Sequence, residues 1–330
     1  MESVISNLAA SLARSFANWA VLLFTILLFP PLASAQDMSA LVGQAMDKQL
    51  PKSRIDFTGT LPQAIQNFGD LTGVRIEADS TVYDALPWGE LTTFSARYEH
   101  QTLRQSLAAI CQKLGLEYEL GKESIHLHPL PALVRLGRRC TIEELAALDL
   151  LARTPLEPND LYPTPESLIA AIDAKLRQTT YAIENRGFDV QGAGTVTISR
   201  NATLLEALEE IQLQTDATWY PWGKSLVVIK KPELIRMLLA KPITTRYSGQ
   251  DISQVLLDLS QRSGVNFQID PGVEQQIPAQ FRTVRLILDN ATVQQALESI
   301  CGFTGLSYAV MPSGIHVSYV GPASPATHPQ

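Results

Sequence analysis

The second half of the chain repeats the first half at a fixed distance. Every residue from 100 to 127 has a counterpart 190 positions later without a gap, and Tyr118 falls on Tyr308. A third, more divergent copy begins near Asn201 and has Trp219 in the slot of the two tyrosines. Repetition at this spacing predicts several copies of one small folding unit. Residues that all copies share are therefore expected to serve the fold rather than one active site.

Each copy predicts the same order of structural elements. Apolar periodicity gives a βαββα order followed by a terminal hairpin. In the second helix of each copy, apolar residues recur at helical spacing, with Leu107, Leu208 and Leu297 in matching positions. We therefore predict an α+β fold of three tandem small βαββα(ββ)-type domains. Each domain is expected to be a short sheet with two helices on one face.

The second helix of each copy also begins with the same capping motif. Thr102, Thr203 and Thr292 are each followed three residues later by Gln or Glu, the pattern of a capping box. Asn201 and Asn290 precede two of these threonines and complete the acceptor pattern for N-glycosylation. The first copy has a histidine in that place. Because capping explains all three copies and glycosylation only two, we favour capping.

Proline content and the copies divide the chain into segments. The predicted segments are a signal peptide (1–35), an N-terminal leader (36–52), repeat 1 (53–130), a helix plus proline-rich linker (131–160), a degenerate repeat 2 (161–231), a linker helix (232–242), repeat 3 (243–320) and a disordered tail (321–330). The clearest boundary is the proline run that starts at Pro155, since closely spaced prolines prevent regular structure.

The N-terminus predicts export. An apolar run from Trp19 to Phe29 is followed by two prolines and then by Ala33-Ser34-Ala35, the small-x-small pattern of a signal peptidase site. The run is shorter than the roughly 20 residues that span a bilayer, so we expect cleavage before Gln36 rather than a retained anchor. No later apolar run has spanning length, and the mature protein is expected to be periplasmic.

Composition narrows the classes of partner. The chain is 45% hydrophobic and 18% charged, with a formal net charge of −7. Nucleic-acid binding depends on basic side chains that contact phosphates, so the acidic balance argues against a nucleic-acid partner. The same balance argues against a general affinity for anionic membrane surfaces.

The last copy resembles a known periplasmic module. It contains Ser263-Gly-Val-Asn-Phe-Gln-Ile-Asp-Pro271, then Asn290-Ala-Thr, and ends in the strand Gly314-Ile-His-Val317. Residues 243–319 are thereby similar to the short N-terminal (STN) domain of secretins and TonB-dependent receptors. Repeat 1 is less similar and repeat 2 least.

The resemblance implies a protein-interaction module. In secretins such domains stack into rings, and in receptors they pass a signal to an inner-membrane regulator. We expect neither a pore nor a receptor barrel from the residues after Val320.

The sequence presents no catalytic, cofactor or metal motif. Cys111 and Cys301 lie beside equivalent apolar stripes and are expected to be half-buried and to stay reduced, although a disulfide between them is an alternative. Cys140, beside two arginines, is expected to be accessible. His126 and His128 point to one face of a strand, but no spacing completes a metal site. We therefore expect a protein that is not an enzyme and binds no cofactor or metal.

Two surfaces are candidates for partner binding. One is the aromatic hairpin of the middle copy, which could instead form a cross-strand core. The other is the terminal strand of the last copy, which we expect to be a sheet edge open to a partner strand. The residues of the two candidates are Trp219, Tyr220, Trp222, Ile315, Val317 and Tyr319.

The favoured function is a non-enzymatic periplasmic protein-interaction module, for example an accessory to secretion or envelope assembly. Its partners would be envelope proteins, and self-association is also open. The second hypothesis is a periplasmic module that binds lipid or glycan. The third is an envelope hydrolase, which no motif supports.

Overall fold

The computed structural model describes residues 42–50, 55–98, 100–156, 163–189 and 194–321. The predicted signal peptide, residues 36–41 and 51–52 of the predicted leader, the centre of the proline run and the tail after Gly321 lie outside the described residues.

The first copy follows the predicted order of strands and helices closely. Its elements are β1 (Ile55–Thr60), α1 (Leu61–Thr72), β2 (Arg75–Ala78), α2 (Ser80–Ala85), β3 (Thr93–Tyr98), α3 (Leu103–Leu114), β4 (Leu116–Leu120) and β5 (Ser124–Pro129). The short helix α2 is an addition that the sequence analysis did not predict. A 3₁₀ turn, Gly89–Leu91, precedes β3.

The middle of the chain combines a connecting segment with the divergent copy. Its elements are α4 (Pro131–Val134), α5 (Ile142–Arg153), α6 (Pro165–Leu176), β6 (Ala182–Arg186), α7 (Leu204–Gln214), β7 (Ala217–Trp222) and β8 (Ser225–Lys230).

The last copy repeats the elements of the first and is preceded by a helix. Its elements are α8 (Lys231–Leu239), β9 (Pro242–Asp251), α9 (Ile252–Ser263), β10 (Phe267–Ile269), α10 (Val273–Gln276), β11 (Thr283–Thr292), α11 (Val293–Thr304), β12 (Leu306–Met311) and β13 (Gly314–Tyr319). The predicted α+β class, with several small units of mixed helix and strand, is confirmed.

The strands of each outer copy are divided between two sheets instead of forming the single short sheet that the sequence predicts. In the first copy β5 lies between β2, which is parallel to it, and β4, which is antiparallel. β1 and β3 form a separate antiparallel ribbon. The last copy has the same arrangement, with a sheet of order β10-β13-β12 and a ribbon of β9 and β11. The two long helices of each copy contact both the ribbon and the sheet and so lie between them.

The middle copy keeps the three-stranded sheet, with the order β6-β8-β7, and has no ribbon among its described residues. In the predicted strand over residues 195–199, buried and exposed side chains alternate, with Val196 and Ile198 buried. This segment belongs to no sheet among the described residues. The Val196 amide donates to the carbonyl of Pro163, at the end of the proline run, at 2.8 Å. Proline has no amide hydrogen, so Pro163 cannot return a backbone hydrogen bond to Val196.

The repeated leucines form the centre of each core. Leu107, Leu208 and Leu297 are at most 1% exposed, and burial of one such side chain contributes about 1.5–3 kcal/mol. The capping boxes that precede them are present in all three copies. For example, the Gln295 amide donates to Thr292 Oγ1 at 3.1 Å and the Thr292 amide donates to Gln295 Oε1 at 2.9 Å.

A hydrogen bond that recurs in every copy joins the start of the second long helix to the chain segment before that copy. The amides of Leu103, Leu204 and Val293 donate to the carbonyls of Lys48, Thr154 and Lys241 at 3.2, 2.9 and 3.2 Å. Each acceptor follows a helix: residues 42–46, α5 or α8. We call these three the leading helices. Although the sequence analysis placed them in a leader or in linkers, each is bonded to the copy that follows it.

Candidate interaction surface

The aromatic hairpin of the middle copy is mainly core. Trp219 and Tyr220 on β7 are each 1% exposed, whereas Trp222 is 44% exposed. The rings of Tyr220 and Trp222 meet edge to face with centroids 6.1 Å apart. The Arg138 guanidinium lies over the Trp222 ring at 4.4 Å from its centroid. Of the three aromatic residues, only Trp222 therefore keeps substantial exposed area.

A buried carboxylate fixes the tip of this hairpin to the connecting segment. The side chain of Glu144 on α5 is fully buried and accepts two hydrogen bonds from Arg138, at 2.7 and 2.9 Å. It also accepts from the amides of Thr141, at 2.8 Å, and Gly223, at 2.9 Å. Burial raises the pKa of Glu144, but the hydrogen bonds from Arg138, Gly223 and Thr141 outweigh it, so the pKa lies below its ordinary value. We call Arg138, Glu144 and the Gly223 amide the junction latch.

A second ion pair strengthens the same junction. Arg135, which follows α4, forms a bidentate pair with Glu209 on α7. Its guanidinium also lies 5.2 Å from the centroid of the Trp219 ring. The fork of an arginine suits such a pair. Two arginines of the connecting segment therefore contact the middle copy. Arg135 pairs with Glu209, and Arg138 lies over the Trp222 ring.

The prediction that the terminal strand of the last copy is a sheet edge is wrong. β13 is the central strand of its sheet, with Phe267 opposite Ile315 on one side and Tyr308 opposite Val317 on the other. Ile315 and Val317 are fully buried, and Tyr319 is partly buried. Chain order suggested an edge because no further strand is predicted after β13, but β10 crosses over through α11 and pairs in parallel beside it. These side chains belong to the core and its margin.

An exposed turn in the first copy carries the apolar residues that sequence reasoning missed. Trp88 and Leu91 are 55% and 76% exposed. The turn is fixed by bonds from the Trp88 amide to Thr92 Oγ1, at 3.0 Å, and from the Thr92 amide to the Gly89 carbonyl, at 3.1 Å. Thr92 itself is buried. The available signal was a tryptophan between Pro87 and Gly89, outside every apolar stripe. We call residues 86–92 the Trp88 turn.

The Trp88 turn lies next to a cleft between the first and last copies. Gly89 has a φ of 59°, and a side-chain carbon at this position would be 3.2 Å from Arg139 Nη2. Arg139 also lines the cleft, whose volume is about 950 Å³. The cleft carries more cations than carboxylates, and its charged residues are Asp84, Arg138, Arg139, Lys241, Asp258 and Arg262.

The charges on the last copy's side of the cleft are partly paired. Asp258 accepts from Arg262 Nε and from the Tyr247 hydroxyl, each at 2.7 Å. Burial raises the pKa of the Tyr247 hydroxyl, and its hydrogen bond to Asp258 raises it further. Burial also raises the pKa of Asp258, but the bonds from Arg262 and Tyr247 outweigh it and lower that pKa overall.

Both histidines of the predicted pair, His126 and His128, lie beside carboxylates. The spacing of the histidines in the sequence did not reveal these partners. Parallel pairing of β2 with β5 places Glu77 beside His126, with Glu77 Oε2 3.3 Å from His126 Nδ1. His128 Nδ1 lies 3.2 Å from Asp79 Oδ2. Each histidine thus has a separate acidic partner. Within the described ranges no three His, Cys, Asp or Glu side chains are grouped as a metal site would require.

The cysteines depart from the sequence expectation most clearly at Cys140. Cys140 is 3% exposed, so the prediction of an accessible thiol there is wrong. Its amide donates to the Ala85 carbonyl at 2.9 Å, which holds it against the first copy. Cys301 is half-buried as expected, Cys111 is more deeply buried than expected, and all three thiols are free. Burial raises the pKa of Cys111 and Cys140 to about 12 and that of Cys301 to about 11.

Comparisons with known proteins leave the family open. No family model, no curated protein and no solved structure matches the chain. The helices of the described ranges are all too short or too polar to cross a bilayer.

Proposed function

We propose that the protein is a non-enzymatic periplasmic protein-interaction module, exported by its N-terminal signal peptide, with an envelope protein as its partner. The observation that carries the proposal is the Trp88 turn, where Trp88 and Leu91 project from a turn whose backbone is fixed. Tryptophan is enriched among the residues that dominate binding energy at protein interfaces. An accessory role in secretion or envelope assembly fits such a module.

The fixed backbone of the Trp88 turn favours its use as a binding surface. The amide of Trp88 is bonded to a side chain, and the carbonyl of Ala85 just before the turn is bonded to Cys140. A surface that is already ordered loses little conformational entropy on binding. The cleft beside the turn supplies cations, with Arg139 and Lys241 both exposed. A partner with an apolar anchor and nearby acidic groups would match both features.

The test is crosslinking and pull-down from the envelope with the wild type and two variants. Trp88→Ala and Leu91→Ala are expected to lose a discrete crosslinked protein while keeping the wild-type melting temperature, because both side chains are exposed. Leu213→Ala is the matched control, since Leu213 is 69% exposed on α7, away from the turn. Equal capture by all variants would remove the Trp88 turn from the proposed interface.

The alternative, a lipid- or glycan-binding module, rests on the same exposed residues, because tryptophan also suits the boundary between water and lipid. Retention on neutral vesicles or on cell-wall sacculi, lost in Trp88→Ala, would support this alternative. The net charge of −7 disfavours anionic lipid surfaces.

A further inference from the structure

Strand β11 of the last copy has an open outer edge. It pairs with β9 on one side, and on the other side no strand of the described ranges pairs with it. An unpaired edge presents backbone amides and carbonyls that another strand can bond.

The exposed side chains of β11 alternate with its buried ones. Val284 and Leu288 are 0% and 5% exposed and face the helices, whereas Ile287 is 69% exposed. Arg285 and Asp289 are also exposed and flank Ile287 at two residues on either side. The exposed face of β11 therefore carries a cation (Arg285), an apolar side chain (Ile287) and an anion (Asp289) in that order.

This pattern is complementary to itself in one arrangement. When two β11 strands run antiparallel about a two-fold axis through Ile287, Arg285 of each strand lies opposite Asp289 of the other. The two Ile287 side chains then meet at the axis. Opposite charges and apolar side chains that face each other across strands stabilise a sheet. An interface of this type is isologous, with one surface patch used by both molecules.

We propose that β11 is a self-association strand, through which two copies of this chain join their β9–β11 ribbons into one four-stranded antiparallel sheet. In an antiparallel pair, residues directly opposite each other alternate between hydrogen-bonded and non-hydrogen-bonded pairs. The two Ile287 residues can form either kind of pair, so the backbone of β11 allows this arrangement. The ribbon has register breaks between Val284 and Arg285 and after Leu288, and the proposed pairing joins residues 285–289 of the two strands, with Asp289 at the second break.

Three other edge strands of the described ranges, β4, β9 and β3, lack this pattern. On β4 the exposed residues Glu117 and Glu119 would face each other as like charges in the same arrangement, which destabilises pairing. On β9 the exposed Arg246, opposite Ile287 within the ribbon, has no acidic residue two positions away. On β3 of the first copy, Ser95 takes the place of Arg285, and its carbonyl accepts a hydrogen bond from Lys113.

The self-association goes beyond the proposed function, since a monomer could bind an envelope partner through the Trp88 turn. The test is sedimentation equilibrium of the full mature chain and four variants. Arg285→Asp and Asp289→Arg are each expected to weaken dimerisation about tenfold or more, because each places like charges in both cross-strand pairs. The double variant Arg285→Asp/Asp289→Arg is expected to restore the dimer, since the charges are exchanged but remain complementary.

A mixing experiment makes the test specific. Arg285→Asp carries only acidic residues at the two positions and Asp289→Arg only basic ones, so an equimolar mixture is expected to form a heterodimer. Arg200→Asp, at an exposed turn of the middle copy, changes the net charge equally and is expected to dimerise like the wild type. Circular dichroism of each variant checks that it is folded.

Two results would overturn the proposal. One is a wild type that stays monomeric up to its solubility limit. The other is a wild-type dimer that both single variants keep at full strength. Neither result bears on the Trp88 turn, whose variants leave β11 unchanged.

Discussion

His100 and Asn290, which lie 190 residues apart at the same position of the repeat, both adopt a left-handed backbone, with φ of 53° and 50°. They are the only non-glycine residues with positive φ within the described ranges. Asparagine and histidine are among the side chains that tolerate this conformation best. The asparagine of the Asn-Ala-Thr segment thus has a backbone reason to be there, independent of glycosylation.

Replacement of Asn290 by alanine is expected to destabilise the fold by about 1 kcal/mol, because alanine disfavours the left-handed region. Asn290→Gly should be neutral or slightly stabilising, since glycine reaches this region freely. Asn201→Ala, in the same sequence motif but without positive φ, is the control. Urea unfolding of the three variants measures the difference, and equal losses at both asparagines would contradict the backbone explanation.

Removal of the Glu144 carboxylate is expected to destabilise the protein by about 3 kcal/mol. Breaking a buried ion pair leaves the partners without compensation, and here Arg138 and two backbone amides lose their acceptor. Glu143→Ala is the matched control, because its side chain is exposed on the same helix. Thermal unfolding of Glu144→Ala and Glu143→Ala gives the comparison, and similar midpoints would show that the junction latch contributes little.

The junction latch also predicts how stability depends on pH. The pKa of Glu144 in the folded protein is below its ordinary value of 4.5, so the unfolded chain binds the proton more readily. Its contribution is complete above pH 4.5 and is lost as the pH falls through the lower folded value. The melting temperature of the wild type should therefore fall more steeply below pH 4.5 than that of Glu144→Gln. Parallel curves for the two proteins would contradict this linkage.

Thiol reactivity should follow exposure and not proximity to arginine. Cys301 is expected to react first with an alkylating reagent in the native state, whereas Cys111 and Cys140 react only on unfolding. All three pKa values are raised by burial, to about 11 for Cys301 and about 12 for the other two, so reaction near neutral pH should be slow. Mass spectrometry of timed digests identifies the order. Fast labelling of Cys140 would contradict its burial.

The last copy should be more stable with its leading helix than without it. Helix α8 contacts β12 of the last copy, and the Lys241 carbonyl accepts the bond from Val293. A fragment of residues 231–321 is therefore expected to unfold cooperatively at a higher temperature than one of residues 243–321. Differential scanning calorimetry makes the comparison. Identical midpoints would mean that the leading helix is only a connector.

The sequence was sufficient for those features that local pattern and repetition determine. The capping boxes at Thr102, Thr203 and Thr292 and the leucine stripes behind them are local, and the structure confirms both. The division of strands between two sheets could not be predicted, because strand pairing depends on contacts between distant residues. β13 shows this most clearly, since its neighbour β10 is separated from it in the chain by two helices, a 3₁₀ turn and two further strands.

The binding surface was harder to predict than the fold. Residues 219 and 88 are both tryptophan, yet the side chain of Trp219 is 1% exposed and that of Trp88 is 55% exposed. The difference arises because Arg135 and the connecting segment cover Trp219, a contact that no local pattern encodes. The carboxylates beside His126 and His128 were missed for the same reason, since they come from a parallel neighbouring strand.

The leading helices also constrain the order in which the chain can bury its apolar surface. Helix α5 packs on α3 of the copy before it as well as on α7 of the copy after it, and Leu148 on α5 approaches the turn at Gly115. A chain that emerges from the N-terminus folds its first units first. The helix that covers the first copy therefore emerges directly after that copy. The other face of α5 stays exposed until the middle copy folds against it. The folded first copy with α5 therefore provides the surface on which the middle copy packs.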